Sequence, residues 1–232
     1  MSRTNFDLLN SSGLNMQAVF NLCELSEDIR TQLGASADRD RQLILIGHGG
    51  KQMWEAVRTS SFSDSAEPID SFSVETVRRW FAEALAGCSF EIIYPASQRR
   101  APLQKLGELA GWHHASPFKV GINARWGSWF AYRVVAVADS ALEPTQKTAN
   151  PSPCHSCLQK PCITACPANA LSGDDTSLKP CLSYRLTENS RCRDRCLSRI
   201  SCPVAAEHAY SMQQLNYHYA RSMQSIEAHL LK

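Results

Sequence analysis

Cysteine is unevenly distributed in this chain of 232 residues: eight of its ten cysteines lie between residues 154 and 202. The first four follow the spacing C-x2-C-x4-C-x3-C and end in Cys-Pro: Cys154, Cys157, Cys162 and Cys166. The second four are spaced more widely and also end in Cys-Pro: Cys181, Cys192, Cys196 and Cys202. No other pattern constrains the fold as strongly, since four thiols that share one bound group must meet in space.

The two groups of four cysteines predict two 4Fe–4S clusters, each held by four thiolates. In the bacterial ferredoxin run, the cysteine before the proline binds the other cluster of the pair. The same crossing here predicts that Cys202 binds the same cluster as Cys154, Cys157 and Cys162. It also predicts that Cys166 binds the same cluster as Cys181, Cys192 and Cys196.

Disulfides and zinc are the alternatives to iron and sulfur. Disulfide scaffolds are typical of secreted domains much shorter than this chain. Residues 1–6 also do not begin a signal peptide. Zinc sites often use paired C-x2-C knuckles, whereas only one C-x2-C occurs here, at Cys154 and Cys157. Thiolate ligands and no export signal predict a cytoplasmic protein.

Composition is ordinary for a globular protein, with 44% hydrophobic and 20% charged residues and a net charge of +2. No apolar run approaches the ~20 residues that span a bilayer, so no membrane association is expected. The small net charge gives no general nucleic-acid footprint.

Five arginines accompany the second cysteine group, either as a solvated basic face or as a docking surface for an acidic electron donor: Arg185, Arg191, Arg193, Arg195 and Arg199.

The remaining sequence predicts an α+β protein. Strands are expected at residues 42–47, 90–94 and 132–138, alternating with helices at 51–58, 74–86 and 102–111, and a further helix is expected through Leu14–Ile29. Residues 1–143 are therefore predicted as an α/β domain with a possible cofactor or substrate pocket. Residues 144–153 are predicted as a linker. Residues 154–232 are predicted as a ferredoxin-like 4Fe–4S module with a C-terminal helix. The isolated Cys23 and Cys88 are expected to be buried structural thiols.

Residues 102–202 contain, in order, several short motifs besides the cysteines. Pro102 and Lys105 precede Ala110-Gly111-Trp112, Gly127-Ser128-Trp129-Phe130 follows, and Cys181-Leu-Ser-Tyr184 lies within the second cysteine group. Their order resembles the epoxyqueuosine reductase family, with its P-x-x-x-K, A-G-x-G-W, G-S-W-x-F and C-I-S-Y motifs. The resemblance implies an N-terminal domain that binds cobalamin, next to a module whose two 4Fe–4S clusters pass electrons to cobalt.

The resemblance also implies positions for a cofactor pocket. His113 and His114 follow the matched tryptophan, and Lys119, Arg125 and Trp126 lie where the family lines that pocket. The chain departs from the family at its catalytic aspartate, where Arg99 and Arg100 stand. It also lacks the Gly-Lys after Trp112. The C-terminal helical repeats with which the family holds tRNA are not expected in it.

The sequence therefore predicts an iron–sulfur oxidoreductase or electron-transfer protein. Its expected partner is a protein electron donor or acceptor, and it is not expected to act on tRNA. A cobalamin-dependent reductase of a small substrate is one alternative. A ferredoxin-type carrier without its own substrate is the other.

Overall fold

The computed structural model describes residues 6–35, 40–95, 101–146, 150–172 and 177–230. It divides into two compact units. Unit 1 comprises Met1–His113 and Phe130–Ala149, and unit 2 comprises His114–Trp129 and Asn150–Lys232. This division differs from the predicted boundary at residue 143, because residues 114–129 belong to the unit that carries the eight cysteines.

Unit 1 is built on a four-stranded sheet within the described residues, with the strand order β1-β2-β4-β3. Its strands are β1 (Met16–Asn21), β2 (Gln42–Gly49), β3 (Phe90–Tyr94) and β4 (Phe130–Ala138). Every neighbouring pair is antiparallel. The α+β class is confirmed, but the prediction of an α/β domain was wrong about the strand direction. Apolar runs predict buried strands, and they carry no information about which way a neighbouring strand runs.

Strands β2 and β4 form the centre of unit 1. All eight residues of β2 are buried, as are the last five of β4. One face packs Leu43, Leu45, Val135 and Val137 into an apolar core with residues of helices α2 (Glu27–Leu33) and α5 (Leu103–Leu109). Helices α3 (Gln52–Thr59) and α4 (Pro68–Ala84) contact β2 and β4 respectively.

The N-terminal region differs most from its prediction. The expected helix through Leu14–Ile29 is wrong. A short helix α1 (Asp7–Ser11) precedes strand β1, and the α-helix between β1 and β2 begins only at Glu27. Strand β1 pairs along its whole length with β2, and this tertiary pairing outweighs the approximate helical spacing of the apolar residues. The predicted burial of two thiols was also wrong, because Cys23 is exposed and Cys88 is only half-buried.

Thr145, near the start of the predicted linker, is hydrogen-bonded to strand β1 of unit 1. The backbone N–H of Thr145 donates to the carbonyl of Val19 at 2.9 Å, and the Val19 N–H donates to the Thr145 hydroxyl at 2.9 Å. The buried Gln42 amide also bonds both backbone groups of Leu142, at 2.7 and 2.9 Å. Leu142 and Thr145 are therefore hydrogen-bonded to strands β2 and β1 of the sheet.

Unit 2 has short helices around its cysteines and one long helix. They are α6 (Pro153–Ser156), α7 (Pro161–Thr164), α8 (Lys179–Leu186), α9 (Leu197–Ile200) and α10 (Met212–Leu230). Helices α7 and α9 contact each other. The predicted C-terminal helix corresponds to α10, whose Leu215 and Met223 are buried, whereas Met212 is exposed. None of the helices in the described ranges is long and apolar enough to cross a bilayer.

Candidate metal centre

Four cysteines from two distant parts of the chain meet at one place in unit 2. Burial raises the pKa of the Cys162 thiol, and it is raised further by the nearby thiols of Cys202, Cys154 and Cys157. The pKa of Cys202 is raised by burial and then by Cys154 and Cys157. Cys202 thus lies with the first three cysteines of the sequence. We call these four residues group 1.

The other four cysteines form a second set. Burial raises the pKa of the Cys181 thiol, and Cys196, Cys166 and Cys192 raise it further. The pKa of Cys192 is likewise raised by burial and then by Cys196 and Cys166. We call Cys166, Cys181, Cys192 and Cys196 group 2. Each group thus contains three cysteines from one half of the motif and one cysteine from the other half, as the sequence predicted. Their role as ligands stays a prediction.

Hydrogen bonds in both groups favour the thiolate form, which is the form that binds metal. A backbone hydrogen bond from Leu197 lowers the pKa of Cys192, and one from Val204 lowers that of Cys202. The Ser152 side chain acts in the same way on Cys154. Hydrogen bonds to sulfur are one of the means by which a protein tunes an iron–sulfur cluster.

The closeness of the thiols does not by itself make a metal site. Among the residues that the structure describes, no group of three or more His, Cys, Asp or Glu side chains is placed to hold a metal ion. Ligation by groups 1 and 2 is therefore a prediction.

Residues 114–129 supply an apolar wall for group 1. Phe118 and Ile122 are buried in one apolar cluster with Cys162 and Cys202, and Cys154 packs against it. The loop is closed by paired backbone hydrogen bonds between His114 and Ile122, at 3.0 Å each. Sequence analysis missed Phe118 and Ile122, because nothing in their spacing links them to cysteines more than about 30 residues away.

Two of the five arginines near group 2 are buried. Arg199 donates to the Ser128 carbonyl at 2.5 Å and lies over the rings of Trp129 and Tyr210, at 4.5 and 5.0 Å. Arg185 is 8% exposed and donates from Nε to the Cys192 carbonyl at 3.2 Å and from Nη1 to Ser222 Oγ at 3.0 Å. Its Nη2 atom is buried without a hydrogen-bond acceptor among the described residues. Because Arg185 also lowers the pKa of Cys181 and Cys192, this unused donor fits an anionic group held by group 2.

The other three arginines are at the surface. Arg193 forms an ion pair with Glu227 at 3.1 Å, and Arg195 pairs with Asp194 at 2.6 Å. Arg191 is exposed. Two of the five arginines are thus buried and two others are paired with carboxylates. Little remains of the basic surface that could have docked an acidic electron donor.

The residues predicted for a cofactor pocket are distributed over both units. In unit 1, His113 Nδ1 lies 3.1 Å from the Tyr132 hydroxyl. In unit 2, Lys119 donates to the Ser177 carbonyl at 3.2 Å, Arg125 lies 5.0 Å over the Trp126 ring, and Trp126 packs 4.5 Å from the His208 ring. His114 takes part through its backbone in the loop described above. The positions matched to the family's aspartate, Arg99 and Arg100, lie outside the described residues.

No protein-family model and no curated protein matches this chain. Several solved structures are similar to this chain in fold. An epoxyqueuosine reductase with a tRNA-Tyr stem loop aligns with a TM-score of 0.54 at 11% identity, over 91% of this chain and 67% of that one. The Bacillus subtilis epoxyqueuosine reductase gives 0.51 at 11% identity, over 89% and 66%. The Streptococcus thermophilus enzyme gives 0.49 at 14% identity, over 87% and 65%.

These similarities establish a fold like that of epoxyqueuosine reductases. The chain spans just under two thirds of the Bacillus subtilis and Streptococcus thermophilus enzymes.

Proposed function

We propose that unit 2 binds two 4Fe–4S clusters and that the protein passes electrons through them, as an iron–sulfur oxidoreductase or electron-transfer protein. The observation that carries this proposal is the meeting of the eight cysteines in two groups of four, each drawn from both halves of the motif. Disulfide bonding would pair thiols two by two, and the cysteines of this structure are free.

The surroundings of the cysteines suit such clusters. Group 1 would hold one cluster against the buried side chains of Phe118 and Ile122. Group 2 would hold the other beside Arg185, whose buried guanidinium offsets the negative charge of four thiolates. When bound, the clusters supply one-electron transfer. The chain would orient the thiolates and donate hydrogen bonds to the sulfurs of Cys192 and Cys202.

Cobalamin is the further cofactor that the family resemblance implies. Within unit 2, Lys119, Arg125 and Trp126 contact other groups of the same unit, and none of these contacts assigns a residue to a corrin ring. We therefore assign no step to cobalamin. Electron transfer with a protein donor or acceptor, in the cytoplasm, is the function that the cysteines support, and reduction of a small substrate is the enzymatic form of the same proposal.

Crossed ligation can be tested by thiol protection. The variant Cys154→Ser/Cys157→Ser should lose the group 1 cluster, and alkylation under anaerobic conditions, mapped by mass spectrometry, should then label Cys202 and leave Cys166 protected. The exposed Cys23 serves as the internal control, because it should be labelled in both proteins. Labelling of Cys166 with protection of Cys202 would contradict the crossing, and labelling of all eight cysteines in the unaltered protein would contradict the clusters.

A further inference from the structure

Arg185 lies inside unit 2 rather than at its surface, which is unusual for an arginine that has no carboxylate partner among its hydrogen bonds. Its Nε and Nη1 atoms bond a backbone carbonyl and the hydroxyl of Ser222. Its guanidinium also lies 5.1 Å over the ring of Tyr219. Neither the carbonyl, the hydroxyl nor the ring is an anion, so these contacts alone leave the positive charge uncompensated.

The charge of Arg185 acts on group 2. Arg185 favours the thiolate forms of Cys181 and Cys192. The Cys192 carbonyl that it bonds belongs to the same residue as one of these sulfurs. Helix α8 carries both Cys181 and Arg185, and helix α10 carries Ser222, so two helices fix the guanidinium at this position.

A buried donor that has no hydrogen-bond acceptor destabilises the folded protein, and more so when the donor is charged. The Nη2 atom of Arg185 is such a donor. A cluster with four thiolates is anionic and becomes more so by one charge on reduction, so a fixed cation and a hydrogen bond to sulfur both stabilise the reduced form more strongly.

We propose that Arg185, positioned by Ser222, raises the reduction potential of the group 2 cluster above that of the group 1 cluster. The inference rests on the proposed function.

Group 1 packs against the apolar Phe118 and Ile122. The cation that acts on it, Lys160, lowers the pKa of Cys154 but is exposed, so solvent screens its charge more than that of the buried Arg185. This difference sets the direction of electron flow. Electrons would therefore pass from group 1 to group 2.

The proposal is tested by redox titration of the full chain, purified anaerobically and followed by electron paramagnetic resonance. Arg185→Gln should move the higher of the two one-electron transitions to lower potential by at least a tenfold change in its equilibrium constant, or 59 mV. A shift of the lower transition alone would contradict the inference. Arg185→Lys should move it less, because the charge remains. Ser222→Ala keeps Arg185 but removes the hydroxyl that accepts the hydrogen bond from its Nη1 atom. This variant should produce a smaller shift in the same direction.

Two matched variants serve as controls. Arg193→Gln removes an arginine that is exposed and paired with Glu227, and Ser225→Ala makes the same change as Ser222→Ala at an exposed position of α10. Neither should move either transition.

The outcomes separate the inference from the proposed function. If the unaltered protein contains no iron, both fail. If Arg185→Gln keeps both clusters and neither transition moves, only the inference fails. If Arg185→Gln loses a cluster and Ser222→Ala leaves the potentials unchanged, Arg185 is structural and the inference also fails.

Discussion

Replacing Gly127 by alanine tests whether residues 114–129 hold group 1 in place. Gly127 has a φ of +58°, and a Cβ atom there would lie 2.2 Å from the carbonyl oxygen of Val204. Separations under 3.0 Å do not occur for real Cβ atoms, so the two segments must move apart by at least 0.8 Å. The displaced residue, Val204, is the one whose backbone bonds the sulfur of Cys202.

The expected cost has two parts. A left-handed backbone costs a residue with a side chain about 1–2 kcal/mol. Overpacking that displaces backbone costs about 1–3 kcal/mol more. Gly127→Ala should therefore lower the free energy of unfolding by about 2–5 kcal/mol, and it should release iron from group 1.

Gly87 provides the matched control. Its φ is +91°, but no atom lies within 4 Å of the position of an added Cβ. Gly87→Ala should therefore cost only the backbone part, about 1–2 kcal/mol. Denaturant unfolding under anaerobic conditions and iron analysis measure both variants. Equal losses of stability with full iron content in both would refute the assignment of residues 114–129 to the wall of group 1.

Three further predictions follow from other parts of the chain. Replacing Cys23 and Cys88 by alanine should leave the iron content and visible absorbance unchanged, because both lie in unit 1, outside the two cysteine groups; loss of colour would mean that the ligands are assigned wrongly. Burial raises the pKa of Tyr132 above its ordinary value of 10.0, so the folded state holds that proton more tightly and stability should fall as the pH rises above 10; Tyr132→Phe should weaken this dependence in denaturant titrations, and an unchanged slope would contradict the assignment. The chain should not restore queuosine to tRNA in a strain without epoxyqueuosine reductase, because Arg99 and Arg100 replace the family's acid; restored queuosine in isolated tRNA would refute this.

The sequence predicted the strands of unit 1 where apolar residues are contiguous. Residues 42–47, 90–94 and 132–138 all lie in strands, because a continuous apolar run of that length suits a strand buried in the sheet. It failed at residues 16–21, where the apolar spacing allowed a helix and the partner strand decided otherwise. Helix α4 begins at Pro68 rather than near Val74, since the polar residues before Val74 gave no periodic signal although proline is favoured in a first turn.

The grouping of the cysteines was predictable from the sequence, and their surroundings were not. The crossing of Cys166 and Cys202 between groups follows from the Cys-Pro pattern, and the structure brings the same residues together. Burial of Arg185 and Arg199 was not predictable, because an arginine among cysteines has the same sequence signature whether it faces solvent or the interior. The wall formed by Phe118 and Ile122 depends on a loop folding onto a distant segment, which only tertiary structure reveals.

Metal analysis of the anaerobically purified chain tests the central claim most directly. Two 4Fe–4S clusters require about eight iron atoms and about eight acid-labile sulfides per chain. That result, with broad visible absorbance that bleaches on reduction, is what the two cysteine groups predict. About four irons would mean that one group is not a ligand set, and stoichiometric zinc without sulfide would contradict the account.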